Sequence, residues 1–364
     1  MTDTEESLRA KVRADLPAAM FAPKPLWSLL VVLIVGLIVA GSVMLATVPL
    51  AWPLALLCSV LVGHLYGSLT FVGHDITHGA SIGPGRLRTL VTYLSFAVYA
   101  VSPHLWVAWH HQAHHGQTNV IGRDPDNFGT VDEFNASDWW TRLMLRFAPG
   151  SGHPVSALYL FLFFTLQGQG VLWMKSKTMP DFRHVRRRRV LVDTALLAAF
   201  WVTVGVLAGP WGALLVVLIP MMVSNFVVMS YIVTTHMLCP MVASRDTLRT
   251  SMGVTTNRLF DVLHFHFSHH LEHHLFPAMC SWYYPRVRQS LRRHLGAAYL
   301  APPHGRALRA IFTTPRLYDR FDTVVDPFTG RRMAIDEIQA ALVNSEGGSG
   351  LNESTRMRGS FPST

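Results

Sequence analysis

Residues 190–231 read VLVDTALLAAFWVTVGVLAGPWGALLVVLIPMMVSNFVVMSY. Two apolar runs, 190–208 and 211–231, flank Gly209-Pro210-Trp211-Gly212. Each run is about 20 residues, the length of helix needed to cross a bilayer. The Gly-Pro pair between them breaks a helix, so the stretch is predicted to fold as a membrane hairpin. Upstream, 27–47 and 52–72 repeat the pattern around Pro49 and Pro53. Two hairpins, four spans in all, define the expected fold: an all-α integral membrane protein carrying a helical cap on one side.

Two further apolar stretches are read differently. Residues 87–101 number only about 15 and run into Pro103 and His104, which suits an interfacial or re-entrant helix. Residues 155–174 are long enough to cross but contain Gln167, Gly168, Gln169 and Gly170. Crossing there would also export Lys175, Lys177 and the run Arg186 to Arg189, against the excess of Lys and Arg in cytoplasmic loops. The stretch is therefore expected to lie along the surface, and both termini to be cytoplasmic; a fifth crossing at 155–174 is the alternative. A cleaved signal peptide is not expected, because a 26-residue polar segment precedes the first apolar run. The domain reading is a cytosolic segment 1–26, a membrane domain 27–293, a cytosolic extension 294–343 and a disordered Gly/Ser-rich tail 344–364.

Composition agrees with this reading. Of 364 residues, 50 % are hydrophobic and 15 % charged, the latter against roughly 25 % in an average soluble domain. Global disorder is excluded, since so apolar a chain can bury ample surface. The net charge of +9 sits in runs beside the apolar stretches (Arg9, Lys11, Arg13 and Lys24; Arg183 and Arg186 to Arg189). With no nucleic-acid-binding signature alongside, it marks membrane orientation and not a nucleic-acid partner. Three cysteines, Cys58, Cys239 and Cys280, form neither a disulfide framework nor a thiolate zinc motif.

The chain holds 19 His, twelve of them in three segments: His74 and His78; His110, His111, His114 and His115; and His264, His266, His269, His270, His273 and His274. Spacings of three and four return to one helix face, so His74 and His78 can share a centre. His111, His114, His115 and His270, His273, His274 both read H-x-x-H-H. Roughly 0.05 copies of that pattern are expected by chance at this His content. An even number of spans separates the segments, which puts all three on the cytoplasmic side. Eight imidazoles exceed one ion's needs, so two metal ions are expected, and nitrogen ligation without thiolate points to iron or zinc.

His74-Asp75-Ile76-Thr77-His78, His111-Gln112-Ala113-His114-His115 with Thr118-Asn119 and Asp124-Pro125-Asp126 after it, and His270-Leu271-Glu272-His273-His274-Leu275-Phe276-Pro277 resemble the three histidine boxes of the membrane fatty acid desaturases. The resemblance runs from about residue 25 to 293. It implies two Fe ions (Fe2+/Fe3+), O2 as co-substrate, and desaturation of a lipid-linked or CoA-linked fatty acyl chain. It also implies His236, just after the last span, as a ninth ligand. The chain has no His-Pro-Gly-Gly haem motif, so a separate ferredoxin-type donor with its reductase is expected. Asp75, Asn119 and Glu272 are expected to orient ligating imidazoles through their second nitrogen.

His110, His266 and His269 adjoin the boxes without matching them and are read as neighbours of the site. His64, 14 residues before His78, lies about 21 Å up the same helix and is excluded as a ligand. Trp106, Trp109, Trp282 and Tyr283 are candidates to line an acyl channel. A hydroxylase or ketolase of the same superfamily, acting on a lipid or carotenoid, would carry the same boxes. His269-His270-Leu271-Glu272-His273 also satisfies the H-x-x-E-H pattern of a zinc peptidase.

Overall fold

A computed structural model of the chain describes residues 3–343; the expected disordered tail, 344–364, lies outside the described residues. Among the described residues, three helical stretches are long and apolar enough to cross a membrane: Ala18–Thr47, Trp52–Thr77 and Arg187–His236. The third is 50 residues long but not continuous. Gly209 adopts φ 71°, ψ 177° and Pro210 follows it, so the chain reverses there. Gly209 occupies a backbone conformation that costs other residues a Cβ clash. Trp211, just past the turn, packs edge-on against Trp52 at 5.9 Å, which sets the two hairpin turns at one level.

The Trp52–Thr77 helix and the Ile219–His236 helix run side by side in the same direction. Their contacts climb in register: Ser59 Oγ donates to Leu215 O at 2.6 Å, Gly63 faces Pro220 and Val223, Gly67 faces Val227, and Phe71 meets Tyr231 at 5.7 Å. Ser59, Gly63 and Gly67 recur every four residues and lie on one face. A Cβ on Gly63 would come within 2.6 Å of Val223 Cβ. Small residues at this spacing let two membrane helices approach closely enough to pack backbone against side chain. Their parallel course delivers His74 and His78 from one helix, and His236 from the other, to the same end. Leu29–Thr47 packs against Trp52–Thr77 and leaves Val32, Leu33, Val39 and Val43 exposed, an apolar outer face suited to lipid.

The short stretch 87–101 forms part of a pair, Arg86–Tyr99 and Pro103–Gln117, bent by 97°, with Ala100 at φ 52° in the corner. Residues 155–174 break into short turns, Ser156–Tyr159 and Phe163–Gly170. The Asp3–Asp15 helix buries Leu8 and Val12 against Leu271, Phe276, Val287 and Leu291. The N-terminal segment thus packs on the third histidine segment.

The all-α expectation needs correction. Strands β1 (Leu317–Arg320), β2 (Thr323–Val325) and β3 (Arg332–Ala334) form a three-stranded antiparallel sheet in order β1-β2-β3. Runs of three or four residues are too short to show a period of two. The turn before β3 is stabilised by Asp326, whose carboxylate accepts from Phe328 N and Thr329 Oγ1.

Candidate metal centre

Two groups of nitrogen donors converge at the end of the helical bundle. In the first, His74, His78, His110, His115 and His273 bring one potential ligand atom each to within 4.8 Å of one another; His114, His236, His270 and His274 do the same in the second. The groups abut, with the His115 and His274 rings stacked at 4.2 Å. Six of the nine His are buried at 3 % exposure or less, with His110 at 5 %, His115 at 9 % and His78 half-buried.

Local winding decides which histidines take part. Val107–His114 is a π-helix, so residues five apart share a face. His110 Nε2 therefore meets His115 Nε2 at 3.1 Å and His74 Nε2 at 2.9 Å. His111, which an α-helix would place over His115, is turned aside. Its Nε2 reaches Thr77 Oγ1 at 3.2 Å and its ring stacks on His78 at 3.9 Å. In the third segment the α-helix His270–Leu275 keeps His270 and His274 on one face, 3.3 Å apart at Nε2. His236 ends the Ile219–His236 helix, with its Nε2 2.8 Å from that of His270 and 3.1 Å from that of His274.

The donor chemistry fits a cation. His236 Nδ1 faces Thr250 O at 3.1 Å, so its proton belongs on Nδ1 and its Nε2 presents a bare lone pair. Nitrogens at 2.8–3.3 Å cannot all be paired by the few protons left. His78 Nε2 is buried with no partner. Positive charge among them removes the conflict. At His114, burial opposes protonation, but the Asp124 and Asp126 carboxylates outweigh it and raise the pKa to about 9. Burial and neighbouring imidazoles hold His110, His115, His270, His273 and His274 well below the ordinary value, so they stay neutral and free to ligate.

Carboxylates beyond the three expected orienting residues also stand behind a box histidine. His114 Nδ1 lies 3.1 Å from Asp124 Oδ1 and 3.2 Å from Asp126 Oδ2. Asp126 is fixed in turn by Gln167 Nε2 at 2.9 Å and by Trp109 Nε1. Lys175 Nζ donates to Pro125 O at 2.6 Å. Gln167, one of the polar residues that make 155–174 a poor span, thus buttresses this aspartate pair. Burial raises the Asp126 pKa to about 6, while Asp124 is held below its ordinary value by His114 despite its own burial. His273 Nδ1 pairs with Tyr284 OH at 3.1 Å.

Of the three residues expected to orient imidazoles, Asp75 Oδ1 stands 3.5 Å from His74 Nδ1, and its other oxygen accepts from Ser281 N. Asn119 Nδ2 donates to His236 O at 2.9 Å and Pro240 O at 3.3 Å, clamping the end of the helix that carries His236. Glu272 accepts from Arg288 Nε at 3.0 Å and from Tyr299 OH, and is 0 % exposed. Engaged this way, it is poorly placed as the general base of a peptidase. Sequence reasoning passed over Tyr284 and Thr250, and quoted Asp124 and Asp126 without assigning them a role. The recurrence of Asp two residues apart, ten after His114, was the available signal.

An apolar cleft lined by Phe71, Trp106, Trp109, Phe164, Phe267 and Ile232 opens onto His74, His114, His236 and His270. Trp282 lies outside it, 55 % exposed and packed near Trp27, and Tyr283 sits under Lys24. His64 pairs with His264, Nδ1 to Nε2, at 3.3 Å and belongs to neither donor group.

The model of the fatty acid desaturase family matches residues 50–305. Among curated proteins, the chain is 28 % identical over 304 residues to an sn-1 acyl-lipid omega-3 desaturase (ferredoxin) of Synechocystis sp., covering 79 % of this chain and 81 % of the relative. It is 24 % identical over 297 residues to a chloroplastic omega-6 fatty acid desaturase of Spinacia oleracea, covering 77 % and 62 %. It is 25 % identical over 282 residues to a dihydrorhizobitoxine desaturase of Bradyrhizobium elkanii, covering 73 % and 76 %.

Proposed function

The chain belongs to the fatty acid desaturase family, and we propose that it introduces a C=C bond into a lipid-linked or CoA-linked acyl chain, with O2 as co-substrate, at a centre of two irons. As a member of that family it is an enzyme that desaturates lipid acyl chains. The observation that carries the two-iron reading is the pair of adjoining nitrogen groups. His74, His78, His110, His115 and His273 hold one iron; His114, His236, His270 and His274 hold the other. His111, stacked on His78, stands beside the first group as the alternative donor to His110.

Breaking an unactivated C–H bond lies beyond any acid–base pair of side chains, and bound iron supplies the O2 activation that this chemistry needs. The protein's part is positioning and exclusion of water. Asp124 and Asp126 hold the His114 Nδ1 proton and leave Nε2 free to ligate. Phe71, Trp106, Trp109, Phe164 and Phe267 offer the acyl chain an apolar bed beside the imidazoles. Electrons come from a separate ferredoxin-type donor with its reductase, a reading supported by the ferredoxin in the name of the Synechocystis relative.

The reading includes four membrane crossings, with both termini and the centre cytoplasmic. The break at Gly209-Pro210 supports it, as do the basic residues Arg186 to Arg189 at the start of the second hairpin. The test is lipid analysis after expression, with a ferredoxin and its reductase, in a host lacking desaturases. New unsaturated acyl chains are expected, absent with His273→Ala. Saturated chains unchanged beside iron-loaded protein would overturn the acyl reading, and hydroxylated or ketone products would move it to the related oxygenases.

A further inference from the structure

Outside the two nitrogen groups, Asp261, His266 and His269 bring three potential ligand atoms to within 4.8 Å of one another. We propose that they form a third, separate site for a divalent cation of the zinc type, pinning the segment that leads into the third histidine box.

The backbone is bent to present these groups. Phe265 and His266 are consecutive non-glycine residues in the left-handed region, at φ 51° and 56°. Such residues are strained and persist where the surroundings enforce them. The bend is closed by His266 N donating to Asp261 O at 2.7 Å and His269 N donating to His266 O at 2.9 Å. It turns the two rings nearly perpendicular, at 87° with centroids 5.5 Å apart. His266 Nδ1 is buried without a partner, and His269 is 3 % exposed. Ser268 Oγ bridges the set, donating to Asp261 Oδ1 at 2.5 Å and lying 3.0 Å from His269 Nδ1.

The local charge permits a cation. Arg288 is the basic group alongside, and its Nε is paired with Glu272 at 3.0 Å. Asp261 is in the set and Asp75 acts on His266 from the Trp52–Thr77 helix. Two imidazoles and a carboxylate suit a borderline divalent ion.

The test uses untagged full-length protein in detergent, stripped of metal and titrated with zinc, with bound metal counted by mass spectrometry. The wild type is expected to hold three ions per chain, and His266→Ala and Asp261→Asn two each, the two at the main centre being retained. In the wild type, zinc is further expected to protect His266 from carbethoxylation at least several-fold. An unchanged count in both variants, or no protection of His266, would each overturn the third site. Because the site is read from the difference between wild type and variants and from His266 itself, failure of the main centre to load would not be mistaken for failure here.

Discussion

His110 and His115, five residues apart, meet nitrogen to nitrogen at 3.1 Å because the chain between them is wound as a π-helix. In an α-helix the partner of His115 on that face would be His111. The winding is therefore a selector between two adjacent histidines, and it can be read out. His110→Ala is expected to lose one iron per chain, whereas His111→Ala keeps both. Metal analysis checks this, and the opposite pattern would mean that the functional winding is α.

Asp126 is the keystone of the carboxylate pair behind His114, held by Gln167 and Trp109. Asp126→Asn is expected to weaken iron binding roughly 10–100-fold, the usual effect of losing a group that orients a ligand. Gln167→Leu should move it in the same direction by less. Competition with a chelator measures both, and an unchanged affinity in Asp126→Asn would remove the carboxylate from this role.

Gly73 lies against Ser95, whose Oγ would be 1.9 Å and Cβ 2.3 Å from an added Cβ. Gly73→Ala therefore overpacks the helix that carries His74, at an expected ~1–3 kcal/mol. Ser95 Cα is 3.8 Å away, an ordinary contact, so Ser95→Gly should relieve most of the clash. Thermal unfolding of the two single variants and the double checks the prediction, which requires the double to be more stable than Gly73→Ala.

Asp15 ties the Asp3–Asp15 helix to the Tyr284–Leu295 helix through Ser290 Oγ at 2.5 Å, His294 Nε2 at 3.0 Å and Arg293 at 3.1 Å. Hydrogen bonds from Ser290 and His294 hold its carboxyl below the ordinary value of 3.8. A carboxylate depressed in the folded state contributes stability that is present above its unfolded pKa and lost as pH falls through the folded one. Protection of the residue 3–15 amides, relative to the intrinsic exchange rate at each pH, should accordingly fall in that acid range. Asp15→Asn should show the reduced protection already at neutral pH, with no further loss on acidification through that range.

Much of this was legible because two periodicities write themselves directly into residue order. Apolar runs of about 20 with Gly-Pro or Pro between them pointed to the hairpins, and i, i+3 and i, i+4 spacing pointed to His74 with His78 and to His270 with His274. What escaped obeys neither rule. No propensity announces a π-turn, so the exchange of His111 for His110 was invisible. The close approach at Ser59, Gly63 and Gly67 shows only once their partner helix is placed beside them. Asp124, Asp126 and Tyr284 act across the fold, on imidazoles from 10 to 12 residues away, where no helical period links them. Strands of three or four residues leave no alternation to detect.

The metal-facing histidines span the chain from His74 to His274, and the second group combines His114 with three residues that follow more than a hundred positions later. During synthesis, the first half of the polypeptide thus emerges with imidazoles that have no complete coordination sphere. The Asp3–Asp15 helix, though made first, waits for Val287 and Leu291 before it can seat. Metal loading at the proposed centre is consequently expected late in biogenesis. A chain stalled before residue 270 would have the apolar helices Trp52–Thr77 and Arg187–His236 and lack the imidazoles of the third box.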